Sequence, residues 1–503
     1  MRGDGKFDLG KPSRRSFDSR MVHRFFTAAF SLCFLAAAST MQAELPSKPN
    51  VIFILADDLG YGDLSCYGQG RIQSPRIDQM AAEGMRFTQF YAGSTVCAPS
   101  RSVLMTGLHT GHTRVRGNAG STNPVAQMLK AEDVTVAEVA KGAGYATGLI
   151  GKWGLGMSGD EGVPNKQGFD YFYGYLSQHH AHNHFPDFLW RNESKVPLSN
   201  VVVPVGDQGG GYATKRVEYS GDLFAEEAVA FVDQHKDEPF FLYLAFVVPH
   251  ANNERTRALG DGQEVPDYGI YEDKDWPNPD KGQAAMITRM DTQIGALLDR
   301  LKKHGIDEKT LVMFSSDNGP HKEGGNDPEF FDANGPVRGI KRDLTDGGIR
   351  VPFIARWPGV IEAGQVSGHV GFFGDIMPTV AELSGGEMPD KTDGISLVPL
   401  LTGDKAAQKE HSHLYWEFHE RSPSQAVILE GRWKGIRKPR EGTFELYDLK
   451  ADVGEETNLA SEKPDLVAKL SALMDESTQP NEYWDIHSSA AKSGKKSAAT
   501  KKK

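Results

Sequence analysis

The sequence predicts an α/β fold: a large mixed, mostly parallel sheet sandwiched by helices, with a small C-terminal antiparallel α+β subdomain. Three observations predict it. Short apolar runs alternate with amphipathic stretches from about Pro46 to about Leu400. The runs are continuous rather than alternating, as in strands buried on both faces. After Leu401-Thr402-Gly403-Asp404 the pattern changes to short strand-like runs separated by turn signals.

The apolar runs place central strands at 51–56, 146–150, 240–248, 311–315 and 351–355. Apolar residues at helical spacing place helices at 76–83, 135–143, 221–234, 281–304 and 373–383. Residues 249–279 are rich in Pro, Asn and Asp and lack periodicity, so they read as a long functional loop. Strands at 413–419, 425–431, 433–437 and 444–448 and a helix at 464–474 complete the chain. The expected divisions are a catalytic domain over 46–404 and a C-terminal subdomain over 405–486.

The ends read differently. Arg14, Arg15, Arg20 and Arg24 precede an apolar run over 25–38, and small residues follow to Ala43. That is the pattern of a cleaved export signal, with a run too short to span a membrane. An exported, periplasmic or secreted protein without a transmembrane span in its mature form is expected. The Lys-rich segment 487–503 is too polar to order itself. Cys33 leaves with the leader, so Cys66 and Cys97 offer no disulfide framework.

Across 503 residues, 39% hydrophobic and 24% charged composition is that of a globular protein with ample core. A formal charge of −11 argues against nucleic acid or an anionic membrane as partner. The same charge repels a sulfated polymer, so such a substrate needs local Lys, Arg, His or a cation.

Ligands of open α/β sheets bind at the carboxyl ends of the strands. There the first run ends in Asp57-Asp58, 311–315 leads into Asp317-Asn318, 240–248 into His250, and 146–150 into Lys152. Asp57, Asp58, Asp317 and Asn318 offer only oxygen donors, which favours a hard divalent cation, Ca²⁺ over Zn²⁺.

The run from Cys97 to Gly107 reads C-x-P-S-R-x-x-L-x-T-G at all seven fixed positions. It resembles the signature that marks a cysteine for oxidation to Cα-formylglycine in the type I, arylsulfatase-like sulfatases of the alkaline phosphatase superfamily. The resemblance extends over nearly all of the mature sequence. It includes Pro49-Asn50-Val51 through Asp57-Asp58-Leu59-Gly60, Gly151-Lys152-Trp153, Phe314 through Gly319, Arg338-Gly339-Ile340-Lys341, and Asp346 through Pro352.

That resemblance implies an alkaline phosphatase-like fold and a sulfuric ester hydrolase. It implies one Ca²⁺ bound by Asp57, Asp58, Asp317, Asn318 and modified Cys97, with a formylglycine-generating maturation enzyme as partner. It assigns Arg101 to holding the formylglycine, and Lys152, His250 and Lys341 to the sulfate and leaving group. Ala98-Pro99-Ser100 is expected to start a helix whose free N–H groups add to the anion field. Long loops carrying Trp190, Arg191, Tyr212, Trp276 and Arg342 favour a sulfated carbohydrate over a small aryl ester, Arg342 being read as a substrate contact.

One position departs from the family. Where the pattern often reads G-K-W-H-L-G, this chain has Gly154 in place of the histidine. The run Gln178-His179-His180-Ala181-His182-Asn183-His184 offers substitutes, with His182 or His180 expected as the replacement base and as substrate contacts. Two other readings are a formylglycine-dependent phospho- or phosphonate-ester hydrolase and a non-catalytic binder of sulfated glycan. Dianionic phosphate monoesters typically use two metals, and ligands for one are visible; a binder has no need of the other catalytic positions.

Overall fold

Val51, Phe53 and Leu55 point to one side of a strand and Ile52, Ile54 and Ala56 to the other, and all six are buried. A strand apolar on both faces needs a layer on each side, and the protein supplies two. The structure is a computed structural model that describes residues 46–486 apart from 120–122 and 421. The leader and the Lys-rich tail, with the expectations placed on them, lie outside the described residues.

Among the described residues the sheet has ten strands. In spatial order they are Gln365–Ser367, Met85–Phe87, Phe353–Arg356, Thr310–Ser316, Asn50–Asp57, Phe240–Pro249, Ala146–Lys152, Tyr171–Tyr175, Phe188–Arg191 and Ser194–Pro197. The five from Thr310–Ser316 to Tyr171–Tyr175 are mutually parallel, so their carboxyl ends share one edge. Antiparallel strands flank them on both sides.

One core joins the Val51–Phe53–Leu55 face to Val103 and Leu104 of the helix Cys97–Thr106 and to Ile376 and Val380 of the helix Ile376–Ser384. The other joins Ile52, Ile54 and Ala56 to the helices Pro75–Ala82, Ser220–His235 and Asn278–His304.

The C-terminal strands His413–Phe418, Ser424–Leu429, Trp433–Lys438 and Thr443–Asp448 pair antiparallel in sequence order. One face, carrying Leu414, Trp416 and Phe418, enters the first core, and the Trp416 indole donates to the Ala92 carbonyl at 2.9 Å. The other face is covered by Leu470 and Met474 of the helix Pro464–Ser477. Lys434, fully buried, sits 2.6 Å from Asp346 and 2.9 Å from Glu455.

Two local expectations are corrected. The run at 351–355 enters the sheet at Phe353 and runs antiparallel; Pro352, without an N–H, stands just outside the ladder. Residues 249–279 hold the helix Asn253–Leu259, capped by the Asn252 side chain and closed by Gly260 at φ +80°. The histidine run contains a short helix, Gln178–Ala181, capped by Ser177. Both helices are too short for a hydrophobic period to show. Cys66 is a free, half-buried thiol, which burial and Asp78 push well above its ordinary pKa. Among the described residues no helix is long and apolar enough to cross a membrane.

Candidate active site

The parallel strands deliver Asp57, Lys152 and, one residue past their ends, Asp58, Asp317 and His250 to the shared edge. Asp58 turns the chain at φ +66°, a left-handed conformation that costs a non-glycine residue about 1–3 kcal/mol and is held here by surrounding contacts. Its backbone N–H donates to Asp317 Oδ1 at 3.1 Å, and that of Leu59 to Ser316 Oγ at 2.9 Å.

Three buried carboxylates face three buried cations. Lys152 Nζ lies 2.6 Å from Asp57 Oδ2, Lys341 Nζ 2.8 Å from Asp58 Oδ2, and Arg101 Nη2 2.8 Å from Asp317 Oδ2. Arg101 also reaches Asp57 at 3.4 Å and donates to the Lys152 carbonyl at 2.7 Å. Burial alone would raise the Asp57 carboxyl, but Lys152, Arg101 and Lys341 outweigh it and bring it down to about 2. Asp317 goes the other way: burial and the neighbouring Asp57 push it up to about 7.

Cys97 is the first residue of its helix and points its thiol at Asp57 Oδ1, 3.3 Å away. Burial and Asp57 hold the thiol well above its ordinary range. The expected free helix amides are corrected: Ala98 N–H donates to Asn118 Oδ1 at 3.2 Å, Pro99 has none, and Ser100 N–H donates to Val96 O. Arg101, one turn along, hydrogen-bonds Asp317 and the Lys152 carbonyl and faces Cys97 only through its charge.

His250 Nδ1 donates to the Ala251 carbonyl at 2.7 Å, which leaves Nε2 as an acceptor for Lys341 Nζ at 3.1 Å. Burial and Lys341 hold its pKa well below 6.5. Asn318 Nδ2 donates to Asp58 Oδ1 at 2.7 Å, while its Oδ1 is buried without a partner. An orphaned carbonyl oxygen beside three crowded carboxylates fits a hard divalent cation. Asp57, Asp58, Asp317 and Asn318 could hold it, with an oxygen on residue 97.

The structure separates the loop histidines. His182 stacks on His250 with ring centroids 4.9 Å apart and 13° between planes. His180 instead packs on Tyr175 and Phe188, with its Nε2 unpaired and its pKa pushed down to about 3 by burial, so it is not brought to His250. Arg342 lies beside Lys341, but its guanidinium pairs with Glu323 and with Glu420 of the C-terminal subdomain. Arg191 pairs with Glu227, and Trp276 packs among Tyr271, Phe330 and Phe331, so both read as packing. Tyr212 lies on a two-stranded hairpin, opposite Val203.

Sequence reasoning missed Glu323, 3.1 Å from Lys341, and Glu254, 3.0 Å from His182. A signal existed for each: Glu323 follows Asp317 by six residues, and Glu254 follows His250 by four, inside the loop singled out for its length.

A parallel-sheet edge that gathers three carboxylates, two lysines and a helix-borne cysteine is an arrangement suited to a hydrolase acting on esters of tetrahedral oxyanions. A family model described as Sulfatase matches residues 49–386, and one described as N-sulphoglucosamine sulphohydrolase, C-terminal, matches 340–480. Human arylsulfatase D is 32% identical over 456 residues, spanning 76% of this chain and 73% of that protein. N-acetylgalactosamine-6-O-sulfatase of Bacteroides thetaiotaomicron is 28% identical over 500 residues, 85% and 93% of the two chains. The solved structure of Ps i-CgsB in complex with k-i-k-neocarrahexaose superposes with a TM-score of 0.72 at 26% identity, covering 87% and 95%. The chain belongs to the sulfatase family, the type I sulfatases of the alkaline phosphatase superfamily, and is a sulfuric ester hydrolase.

Proposed function

We propose that this sulfatase hydrolyses a sulfate ester on a sulfated carbohydrate, with Cys97 oxidised to formylglycine as its nucleophile and one bound Ca²⁺. The observation that carries the reading is the convergence of Lys152, Lys341 and Arg101 with Asp57, Asp58 and Asp317 around residue 97. The carbohydrate class is supported by the similarity to the N-acetylgalactosamine-6-O-sulfatase over 93% of its length and to the neocarrahexaose complex. The maturation enzyme that would oxidise Cys97, and export to the periplasm or medium, belong to the same reading.

When bound, the metal supplies positive charge beside the sulfuryl oxygens and lowers the pKa of a nearby hydroxyl. Lys152 and Lys341, buried and held on carboxylates, present ammonium groups where the non-bridging oxygens gather charge, at little reorganisation cost. Arg101 positions: it ties Asp317 to the end of the Lys152 strand.

A hydroxyl of hydrated residue 97 attacks sulfur, and the alcohol departs with a proton from the Lys341–His250 pair, which shares one across 3.1 Å. The second hydroxyl of residue 97 then loses its proton to His182, and the aldehyde re-forms as sulfate leaves. Serine and cysteine have no second hydroxyl, which is why the modification is needed.

The test is sulfate release from sulfated oligosaccharides of defined linkage by protein produced with the maturation enzyme. Turnover is expected on at least one, with none from Cys97→Ala. Turnover of phosphate esters alone overturns the reading, as does full activity of Cys97→Ala.

A further inference from the structure

Six imidazoles crowd this end of the sheet, and their ring partners separate them. His179 Nδ1 faces the amide oxygen of Gln208 at 2.9 Å. His180 lies in an aromatic cage with Nε2 unpaired. His184 Nε2 donates to the His250 carbonyl at 2.8 Å, and its Nδ1 is buried without a partner. His321 donates to the Pro249 carbonyl and accepts from the Glu323 N–H, and is locked in place at both nitrogens. His250 donates from Nδ1 to a carbonyl and accepts at Nε2 from an ammonium, so it is already engaged at both nitrogens. Only His182, of these six, has Nδ1 hydrogen-bonded to a carboxylate, Glu254 Oε2 at 3.0 Å.

We infer that Glu254 is a positioning residue for the reaction, pairing with His182 as a carboxylate–imidazole dyad that takes the place of the histidine absent at Gly154. The inference rests on the sulfatase reading with His182 as the base. A carboxylate on Nδ1 fixes the tautomer with the proton on Nδ1 and the lone pair on Nε2. It also stabilises the imidazolium that forms when Nε2 takes a proton, the role of the buried acid in hydrolase triads.

The pieces are held for this. Glu254 stands in the first turn of the helix Asn253–Leu259, whose Asn252 cap fixes the turn, and its side chain is 4% exposed. His182 ends the helix Gln178–Ala181 and is pressed flat on His250. The backbone N–H of residue 182 donates to the His179 carbonyl, so the ring is anchored from behind as well as at Nδ1.

The charge environment gives the pair its direction. Burial lowers the pKa of His182, Glu254 pulls it back up, and Lys152 and His179 lower it further; His250 lies stacked against it. Glu254 is held ionised against its burial chiefly by His182, with the exposed Arg257 at 3.3 Å contributing. At neutral pH the imidazole is therefore a free base with an anion waiting behind it.

The step balances within the site. His182 Nε2 takes the proton of the second hydroxyl on residue 97. The O–H electron pair forms the C=O bond as the C–O bond to sulfate breaks, and sulfate leaves with that bonding pair. The proton on His182 returns to solvent before the next hydration.

The experiment compares Glu254→Gln, Glu254→Asp, His182→Ala and the double variant His182→Ala/Glu254→Gln, using a chromogenic sulfate ester with rapid mixing. Thermal melts of each report folding. His182→Ala is expected to show a burst of alcohol and then turnover slowed by about 10²–10⁴-fold, the usual loss for a general base. Glu254→Gln is expected to show the burst and lose at least about tenfold in kcat, with KM falling alongside so that kcat/KM is unchanged, because the slowed step follows ester cleavage. Losing the charge lowers the pKa of His182, so the acid limb of the kcat profile should move to lower pH. Glu254→Asp should recover part of the rate. The double variant should be no slower than His182→Ala, because the two residues act through one proton.

If His182→Ala turns over at full rate without a burst, the base reading fails and the dyad with it. If His182→Ala is slow while Glu254→Gln keeps both rate and pH profile, the positioning role alone is overturned. An equal loss in Glu254→Gln and Glu254→Asp with lowered melting points and an unmoved acid limb would make Glu254 structural only.

Discussion

The side-chain amide of Gln178 fills the space beside Gly154: a Cβ built on that glycine would lie 2.2 Å from Gln178 Nε2. Gly154 also stands at φ +83°, where any other residue is strained. The absent histidine is therefore built into the packing, and the glutamine opening the histidine run occupies part of its place.

Restoring the family residue should fail for that reason. Gly154→His is expected to lower stability by about 1–3 kcal/mol from backbone strain, and to leave sulfate release no faster. A thermal melt and a turnover assay check both; a faster Gly154→His enzyme would show that the site still accepts the familiar base.

Asp317→Asn should abolish activity and metal retention while leaving the melting point of the metal-free protein within a few degrees. The asparagine keeps a partner for buried Arg101, which Asp317→Ala would leave short of one. Chelation of the wild type should mimic the loss and lower its melting point, with Ca²⁺ restoring both. Metal analysis showing no bound ion in an active preparation would refute the assignment.

On the proposed mechanism, in which the Lys341–His250 pair protonates the leaving oxygen, His250→Ala should slow ester cleavage by about 10²–10⁴-fold and remove any burst. The loss should be smallest for aryl sulfates with acidic phenols, whose departure needs little protonation. Equal losses for aryl and alkyl esters would assign His250 to positioning alone.

Lys434→Met should destabilise the protein by about 3–5 kcal/mol, since Asp346 and Glu455 would remain buried without their shared cation. Denaturant melts measure it. An unchanged midpoint would mean that the carboxylates share a proton instead.

The central architecture was legible because continuous apolar runs have few other uses: residues 51–56 could only be a strand covered on both sides. The same logic placed Asp57, Asp317, His250 and Lys152 together, since polar residues directly after such runs fall at the shared carboxyl edge of the parallel strands. Local rules do not reach further. The outer strands Tyr171–Tyr175 and Phe188–Arg191 are short and aromatic, and their pairing is decided by register with neighbours rather than by period. His180 and His182 differ by two positions and are alike to any reading of composition. A four-residue helix turns one onto Tyr175 and Phe188 and the other onto His250. Glu254 was overlooked because its partner lies 72 residues away.

Cys97 is 2% exposed, walled in by Asp57 and the core beneath its helix. A second protein that must grasp this side chain and the residues around it cannot do so once the chain has closed. On the formylglycine reading proposed above, burial sets the timing of maturation: oxidation precedes folding, and a molecule that folds first keeps its thiol out of reach. On that reading two populations of different chemistry can coexist in one preparation, and the proportion between them records a race between folding and modification.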